Sequence, residues 1–400
     1  MWFIAINMLL GDRAKYLGLI FGIAFTAFLV TFAASYFCGF MTRGFALIAE
    51  NSFADVWVMD PAVSSVEQNT GLPPWALERV RNVEGVRSAL PLAVASAEAR
   101  FPGGRFQSFQ VIGVDDATLA GLPPLLPSAA GPAAVSVLRA PTAVAVSSGG
   151  SSGKLDTPQR SHRGWPTWRS DAATPSRELA AGDELILNDR TVHIAATANA
   201  LPRFPPRPLL YMPLSRARAL LPERRPVTFV LVRAAAGLDT ASLAARIEAR
   251  TGLRARTAAQ FREDTVRWFL INSEDVGDIA SMLVLAMSVG FGVTGIMLYM
   301  FTIENLPQYA VLCAMGTQRR TLLAMICMQA AVSALIGTGL GFGLCAIAGQ
   351  FADVAGYPFR VMWFTPLLGA AMVLIISVVG AALSARPVLR LQPVLVFSNR

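Results

Sequence analysis

The chain is 400 residues long, 54% hydrophobic and only 15% charged, with a formal net charge of +8. Its apolar residues are gathered into four windows without a single charge, each longer than the roughly 20 residues that cross a bilayer as a helix, which excludes a soluble globular protein. The charge is partitioned too: residues 43–278 hold 26 of the 34 basic and 23 of the 26 acidic residues, so that stretch is only +3 and the other +5 flanks the apolar windows. Such flanking charge suits anionic membrane lipid, and no basic stripe with interleaved aromatics points to nucleic acid.

The first window lies between Lys15 and Arg43, with its core at 17–37. It is longer than the roughly 7–15 residues of a signal-peptide core. Phe37 before Cys38 also spoils a lipoprotein-type cleavage site, so the segment is read as a retained anchor. A polar stretch follows. Its elements, in order, are a strand at 55–59, a helix at 74–83, a strand at 106–114 with a turn at Asp115-Asp116, and a short strand at 143–146. From 147 to 176 the chain turns to Ser, Gly, Pro, Arg and Trp and reads as an exposed excursion. A hairpin at 182–187 and 192–196 turns around Asn188-Asp189, and a Pro-rich turn occupies 201–208. A helix at 215–221, a strand at 227–232 and a helix at 238–251 complete an α+β pattern. Residues 258–273 read as a helix running into the second window as a rigid stalk.

The remaining windows are bounded by Asp278 and Glu304, Arg320 and Asp353, and Arg360 and Arg386, with cores at 279–301, 322–349 and 364–383. The third is longer than a span needs and is expected to tilt or fray at its Gly-rich end. Gly337, Gly339, Gly341 and Gly343 there allow a neighbouring helix to approach closely. The chain thus divides into an N-terminal segment and first span (1–41), an α+β domain (42–257), stalk and second span (258–303), a loop (304–321), third and fourth spans (322–385) and a tail (386–400). The fold class is a membrane protein with four transmembrane helices in a 1+3 arrangement. The short flanks set orientation: Arg13 and Lys15 against Asp12, Arg319 and Arg320 against Glu304, and a tail with Arg386, Arg390 and Arg400 and no acid. All three are net basic, so by the positive-inside rule both termini are cytoplasmic and the large domain lies outside. The chain is thus expected to be a multi-pass protein of the cytoplasmic membrane.

No catalytic motif is complete in the sequence. The stretch GGSSGK at 149–154 is one residue short of a phosphate loop, and Lys154 is followed by Leu155 rather than Ser or Thr. His162 and His193 lie apart, without acidic or Cys partners at metal spacing. The pairs Asp115-Asp116 and Glu274-Asp275 fit a solvated turn and a helix start. The four cysteines, Cys38, Cys313, Cys327 and Cys345, read as small apolar packing residues, with no metal spacing and none inside the domain. No enzyme active site, cofactor or metal is expected.

The informative polar stretch is Glu304, Asn305, Leu306, Pro307, Gln308, Tyr309, Ala310, Val311, Leu312, Cys313, Ala314, Met315 and Gly316. Asn305 can cap a helix, Pro307 fits its first turn, and Gly316 suits a left-handed exit. Val311, Leu312 and Met315 are placed on one face. The result is a short amphipathic helix on the membrane surface or against a partner. The residues alone leave a plain interfacial connector equally open.

The run Thr302-Ile303-Glu304-Asn305-Leu306, Ala310-Val311-Leu312, Ala314-Met315-Gly316 and Arg319-Arg320 resembles the coupling-helix region of the MacB/FtsX-type ABC transporter permeases. The Glu-Asn-Leu form with Tyr309-Ala310 is most similar to the DevC-like branch. Ala5-Ile6-Asn7-Met8-Leu9, Asp12-Arg13 and the tail Ala385-Arg386-Pro387, Leu391-Gln392-Pro393-Val394 also resemble the family, and the 1+3 arrangement matches over the whole chain. Two features depart from it: Gln329 stands where many members carry Glu, and the 147–176 excursion has no counterpart.

The resemblance implies a permease, not an enzyme, paired as a homodimer with a separate cytoplasmic ABC ATPase. The ATPase-coupling set would be Glu304, Asn305, Leu306, Pro307, Gln308, Tyr309, Val311, Leu312, Met315 and Gly316. ATP-driven motion would pass through spans and stalk to the outside domain. No Asp, Glu, Lys, Arg or His lies within a span core to mark a conducting path, which agrees with such mechanotransmission. The leading expectation is export of a lipid or other amphipathic molecule with a periplasmic adaptor and outer-membrane channel. An FtsX-like signalling subunit that regulates a periplasmic hydrolase, and a lipoprotein-release permease, remain as alternatives. A membrane-bound enzyme would need a catalytic constellation the sequence does not display.

Overall fold

The computed structural model describes residues 13–127, 135–151, 153–158, 176–221 and 227–384. The N-terminal Ala5–Leu9 run, His162, most of the polar excursion, and the tail with Arg386, Arg390 and Arg400 lie outside the described residues. The chain forms two compact units. One is Met41–Ser273; the other joins the N-terminal segment up to Phe40 to Glu274–Arg400.

A long first helix, α1 (Arg13–Gly44), leads through α2 (Ala46–Glu50) into the inserted α+β unit. There follow β1 (Val56–Met59), α3 (Ala76–Arg81), β2 (Val86–Arg100), β3 (Phe106–Val114), β4 (Ala143–Ser147), β5 (Asp156–Pro158), β6 (Ser176–Glu178), β7 (Glu184–Leu187), β8 (Arg190–Thr197) and β9 (Leu209–Pro213). Then come α4 (Leu214–Leu220), β10 (Phe229–Ala234), α5 (Thr240–Thr251), β11 (Arg254–Thr257) and α6 (Ala258–Asn272).

Nine strands make one sheet in the order β11-β1-β10-β2-β3-β9-β4-β8-β7, and β7 pairs back onto β2, so six strands close into a ring. The fifteen-residue β2 holds this together. Its first half pairs with β10 up to Leu92, and its second half pairs with β3 from Ala93 onward. Its alanines, a residue depleted in strands, hide β2 from a reading of the sequence. Alternate residues of these strands feed different clusters. Val56, Val58, Val230 and Val232 join helices α3 and α5, while Trp57, Met59, Phe229 and Leu231 pack with Ile112, Tyr211 and Phe261. Further round, Phe109, Val111, Val144 and Leu210 form a third cluster. With both faces buried, β9 is a continuous apolar run, LLYMP, without the alternation that marks a half-exposed strand. The expected hairpin around Asn188-Asp189 is present, and the positive φ values of 47° and 60° at those residues fit a two-residue turn matched to strand twist.

The helix expected at 258–273 forms as α6, opened by a Thr257/Gln260 capping box. Phe261, Thr265 and Phe269, spaced one turn apart, are buried in the inserted unit. Helix ends at Asn272, where Ser273 is extended (φ −95°, ψ 122°). A new helix restarts with Glu274 and Asp275 in its first turn, where carboxylates favour the N-terminal dipole. Within the polar excursion, β5 pairs antiparallel with β6 as a two-stranded ribbon.

The membrane unit adds α7 (Glu274–Glu304), α8 (Leu306–Ala314), α9 (Arg319–Val354) and α10 (Phe364–Ser384) to α1. Helices α1, α7, α9 and α10 are the four spans; all are long and apolar enough to cross a bilayer. The third span does not fray at its glycines, because two of them are packing positions. A Cβ at Gly337 would lie 2.6 Å from Ile23 Cγ2, and one at Gly341 would lie 2.5 Å from the Ala24 carbonyl oxygen. Small residues one turn apart thus bring α9 against α1. Gly339 and Gly343 meet nothing and face away. Thr26 of α1 adds a polar tie, its Oγ1 lying 3.0 Å from Thr294 Oγ1 and donating to the Gly290 carbonyl at 3.2 Å.

Candidate coupling site

Helix α8 is joined to α7 by a single residue. Asn305 has φ −88° and ψ 6°, and its carbonyl accepts from the N–H groups of Gln308 and Tyr309 at 3.1 and 3.2 Å, which opens the new helix. Its side chain was expected to cap α8 and does not. The amide Nδ2 donates backward to the Phe301 carbonyl at 2.8 Å, which also accepts the Asn305 N–H at 3.2 Å. Asn305 therefore finishes α7. Pro307 sits in the first turn of α8 as expected, where its missing N–H has no helical partner to lose.

The far end closes as a Schellman motif. The Thr317 N–H donates to the Leu312 carbonyl at 3.1 Å and the Gly316 N–H to the Cys313 carbonyl at 3.0 Å. Gly316 takes φ +92°, a conformation that favours glycine. Nothing lies within 4 Å of a Cβ built there, so backbone conformation rather than space selects the residue.

Burial divides the helix differently from the sequence expectation. Val311 and Met315 are 46% and 69% exposed, but Leu312 is only 7% exposed and packs in the bundle core with Leu19, Leu298, Leu322, Met325 and Ile326. Leu312 is one position round from Val311, roughly 100° on a helix, which is enough to turn it inward. Tyr309 and Ala310 are also fully buried. The Tyr309 hydroxyl lies 2.8 Å from Gln329 Oε1, to which it donates, so the residue singled out for lacking a carboxylate is a neutral acceptor inside the bundle. The exposed stripe runs along Glu304, Pro307, Gln308, Val311, Ala314 and Met315. It is a mixed apolar strip one helix face wide, while Leu306, Tyr309, Ala310 and Leu312 anchor the opposite side. Of the ten residues of the expected set, Glu304 ends α7, Asn305 links the helices, six lie in α8, and Met315 and Gly316 close its far end; they divide between a buried and an exposed side.

Other sequence candidates fall into structural roles. Asp115 Oδ2 accepts from Thr118 N and Oγ1 at 2.9 and 2.8 Å, and Asp116 Oδ1 accepts from Ser215 N and Oγ at 3.1 and 2.7 Å at the start of α4. In the GGSSGK loop, Gly149 lies against the Arg207 carbonyl and Lys154 Nζ donates to the Pro206 carbonyl at 2.8 Å, so loop and Pro-rich turn pack together. His193 Nδ1 lies 3.4 Å from Glu184, both half exposed.

Sequence reading missed a buried ionic cluster in the inserted unit. Glu50 pairs with Arg203, takes the Leu201 N–H at 2.6 Å and the Tyr211 hydroxyl at 3.0 Å. Glu67 pairs with Arg207. Burial pushes both carboxyls above their ordinary value, against the pull of the arginines. Burial raises the Tyr211 hydroxyl as well. The signal lay in Glu50 beside the apolar ALIA run and in arginines between prolines, features that sequence alone does not bring together.

Residues 280–393 match the family described as FtsX-like permease C-terminal. The putative hemin transport system permease protein HrtB of Staphylococcus haemolyticus (strain JCSC1435) is 32% identical over 108 residues, 26% of this chain. The chain spans 30% of that relative's length. Among solved structures, the periplasmic region of MacB from Actinobacillus actinomycetemcomitans aligns with 56% of this chain and 96% of that structure at 12% identity and a TM-score of 0.35. The extracellular domain of the noncanonic ABC-type transporter YknZ from Gram-positive bacteria aligns with 51% of this chain and 98% of that structure, at 11% identity and a TM-score of 0.31.

Proposed function

We propose that this chain, whose residues 280–393 match the FtsX-like permease C-terminal family, is a MacB/FtsX-type permease and the permease subunit of an ABC transporter driven by a separate cytoplasmic ATPase. The observation that carries the proposal is helix α8. It is a short helix packed from behind into the bundle core, with an exposed strip of Pro307, Gln308, Val311 and the capping Met315 left for a partner. The ATPase would grip that strip, and nucleotide-driven closure would move α8 with spans two and three. Both termini and α8 lie in the cytoplasm and the inserted unit outside, as the basic flanks require. The permease works as a homodimer and mechanically drives export of an amphipathic molecule, with an adaptor and an outer-membrane channel completing a DevC-like machine. The hemin in the name of one relative is such a molecule.

The test is purification of the full chain in mild detergent with identification of what comes with it. A stoichiometric ATPase whose activity responds to the permease supports the proposal, and an adaptor in the same eluate selects export. A cell-wall hydrolase in the adaptor's place selects the FtsX-like signalling role, and a protein that recruits no ATPase overturns the transporter reading.

A further inference from the structure

Helix α8 is connected unequally to the two spans it separates. Toward span two the link is tight: Asn305 is the only intervening residue, and its backbone N–H and side-chain amide both hold the Phe301 carbonyl. Toward span three the covalent link is longer. After α8 come Met315, the left-handed Gly316 and the pair Thr317-Gln318, closed by the Schellman hydrogen bonds, before α9 begins at Arg319.

Side chains supply the direct connection to span three. Leu312 packs on Leu322, Met325 and Ile326 within one apolar cluster, but such contact is non-directional and tolerates sliding. The Tyr309–Gln329 hydrogen bond does not. Both residues are buried, the bond is 2.8 Å long, and neither partner could find water if it broke. Gln329 lies ten residues into α9, about 15 Å along the helix, so the bond grips the span well inside the bundle. One turn further on, Ser333 Oγ donates to the Gln329 carbonyl at 2.8 Å.

We propose that the Tyr309–Gln329 hydrogen bond is the link that passes displacement of α8 to span three, and that without it the displacement reaches span two alone. Tyr309 and Gln329 are thus a positioning pair. This rests on α8 being the ATPase-docking helix.

The experiment is hydrogen exchange on the full complex with its co-purifying ATPase in lipid nanodiscs, comparing nucleotide-free with ATP-plus-vanadate states. In the native complex the nucleotide changes exchange both in 306–314 and in 319–330. Gln329→Leu keeps the first change and loses the second, and Tyr309→Phe does the same. The double variant is no worse than either single one, since all three break the same bond. Gln329→Glu, which keeps an acceptor oxygen, restores the change in 319–330. A nucleotide-dependent change in 319–330 that survives both single variants overturns the link while leaving the docking role of α8 intact. Absence of any change in 306–314 of the native complex overturns the docking role and the link with it.

Discussion

At the residue scale, the same residue type does opposite work depending on which way its helix face turns. Gly337 and Gly341 bring span three against span one, whereas Gly339 and Gly343 meet nothing. Gly341→Val is expected to destabilise the bundle by about 1–3 kcal/mol through overpacking, seen as a lower melting temperature of the detergent-solubilised chain, and Gly339→Val to leave it unchanged. Equal effects would show that span three is not seated on span one in this register. The buried Glu50 carboxyl has a sharper signature. Its pKa is raised above the ordinary 4.5, first by desolvation. The folded state therefore holds a proton that the unfolded state has released, and the stability from this group is complete below about pH 4.5 and is lost as pH rises through the raised value. Thermal unfolding of the full chain, followed by tryptophan emission, should fall in midpoint over that window. Glu50→Gln should flatten the slope and, above that window where the native carboxyl is ionised, lower stability by about 3–5 kcal/mol, because Arg203 is left buried without its counter-charge. An unaltered slope in Glu50→Gln would assign the pH dependence elsewhere.

At the element scale, the nine-residue helix α8 carries both a buried anchor and an exposed strip, the proposed docking surface. Leu312→Asp would place a charge in the bundle core and damage folding, so its loss of function would say nothing about docking. Val311→Asp and Met315→Asp change only the exposed strip. Each should leave the chain inserted and monodisperse and reduce ATPase recovery in the co-purification at least tenfold. Full recovery with both variants would move the docking surface off α8. Strands β2 and β9 make a related point. Strand β9, buried on both faces, lacks the period-2 alternation by which a half-exposed strand is recognised, whereas β2 alternates from Ala95 to Arg100 but with alanine on its buried face, a residue depleted in strands.

At the scale of the whole molecule, the arrangement makes one topological prediction. With the four native cysteines replaced, a single cysteine at Asp189, in the exposed hairpin turn, should react with a membrane-impermeant maleimide in intact spheroplasts. One at Met315 should react only after permeabilisation. The reverse pattern would invert the orientation read from the basic flanks and place α8 where no cytoplasmic ATPase can reach it.

The four spans, the α+β insertion and the position of α8 were legible in the sequence. They depend on local properties: charge-free length, turn chemistry at Asn188-Asp189, Pro307 near a helix start and Gly316 at its end. Tertiary structure decided what depends on contacts between distant residues. It turned Leu312 inward and Val311 outward, separated the packing glycines from the idle ones, joined β7 back to β2, and assembled Glu50, Arg203 and Tyr211 from segments some 150 residues apart. It also gave Gln329 its partner. Periodicity says that a helix has an apolar face, but in a bundle whose outer surface meets lipid, apolar character no longer distinguishes inside from outside. Only the packing of neighbouring spans does so.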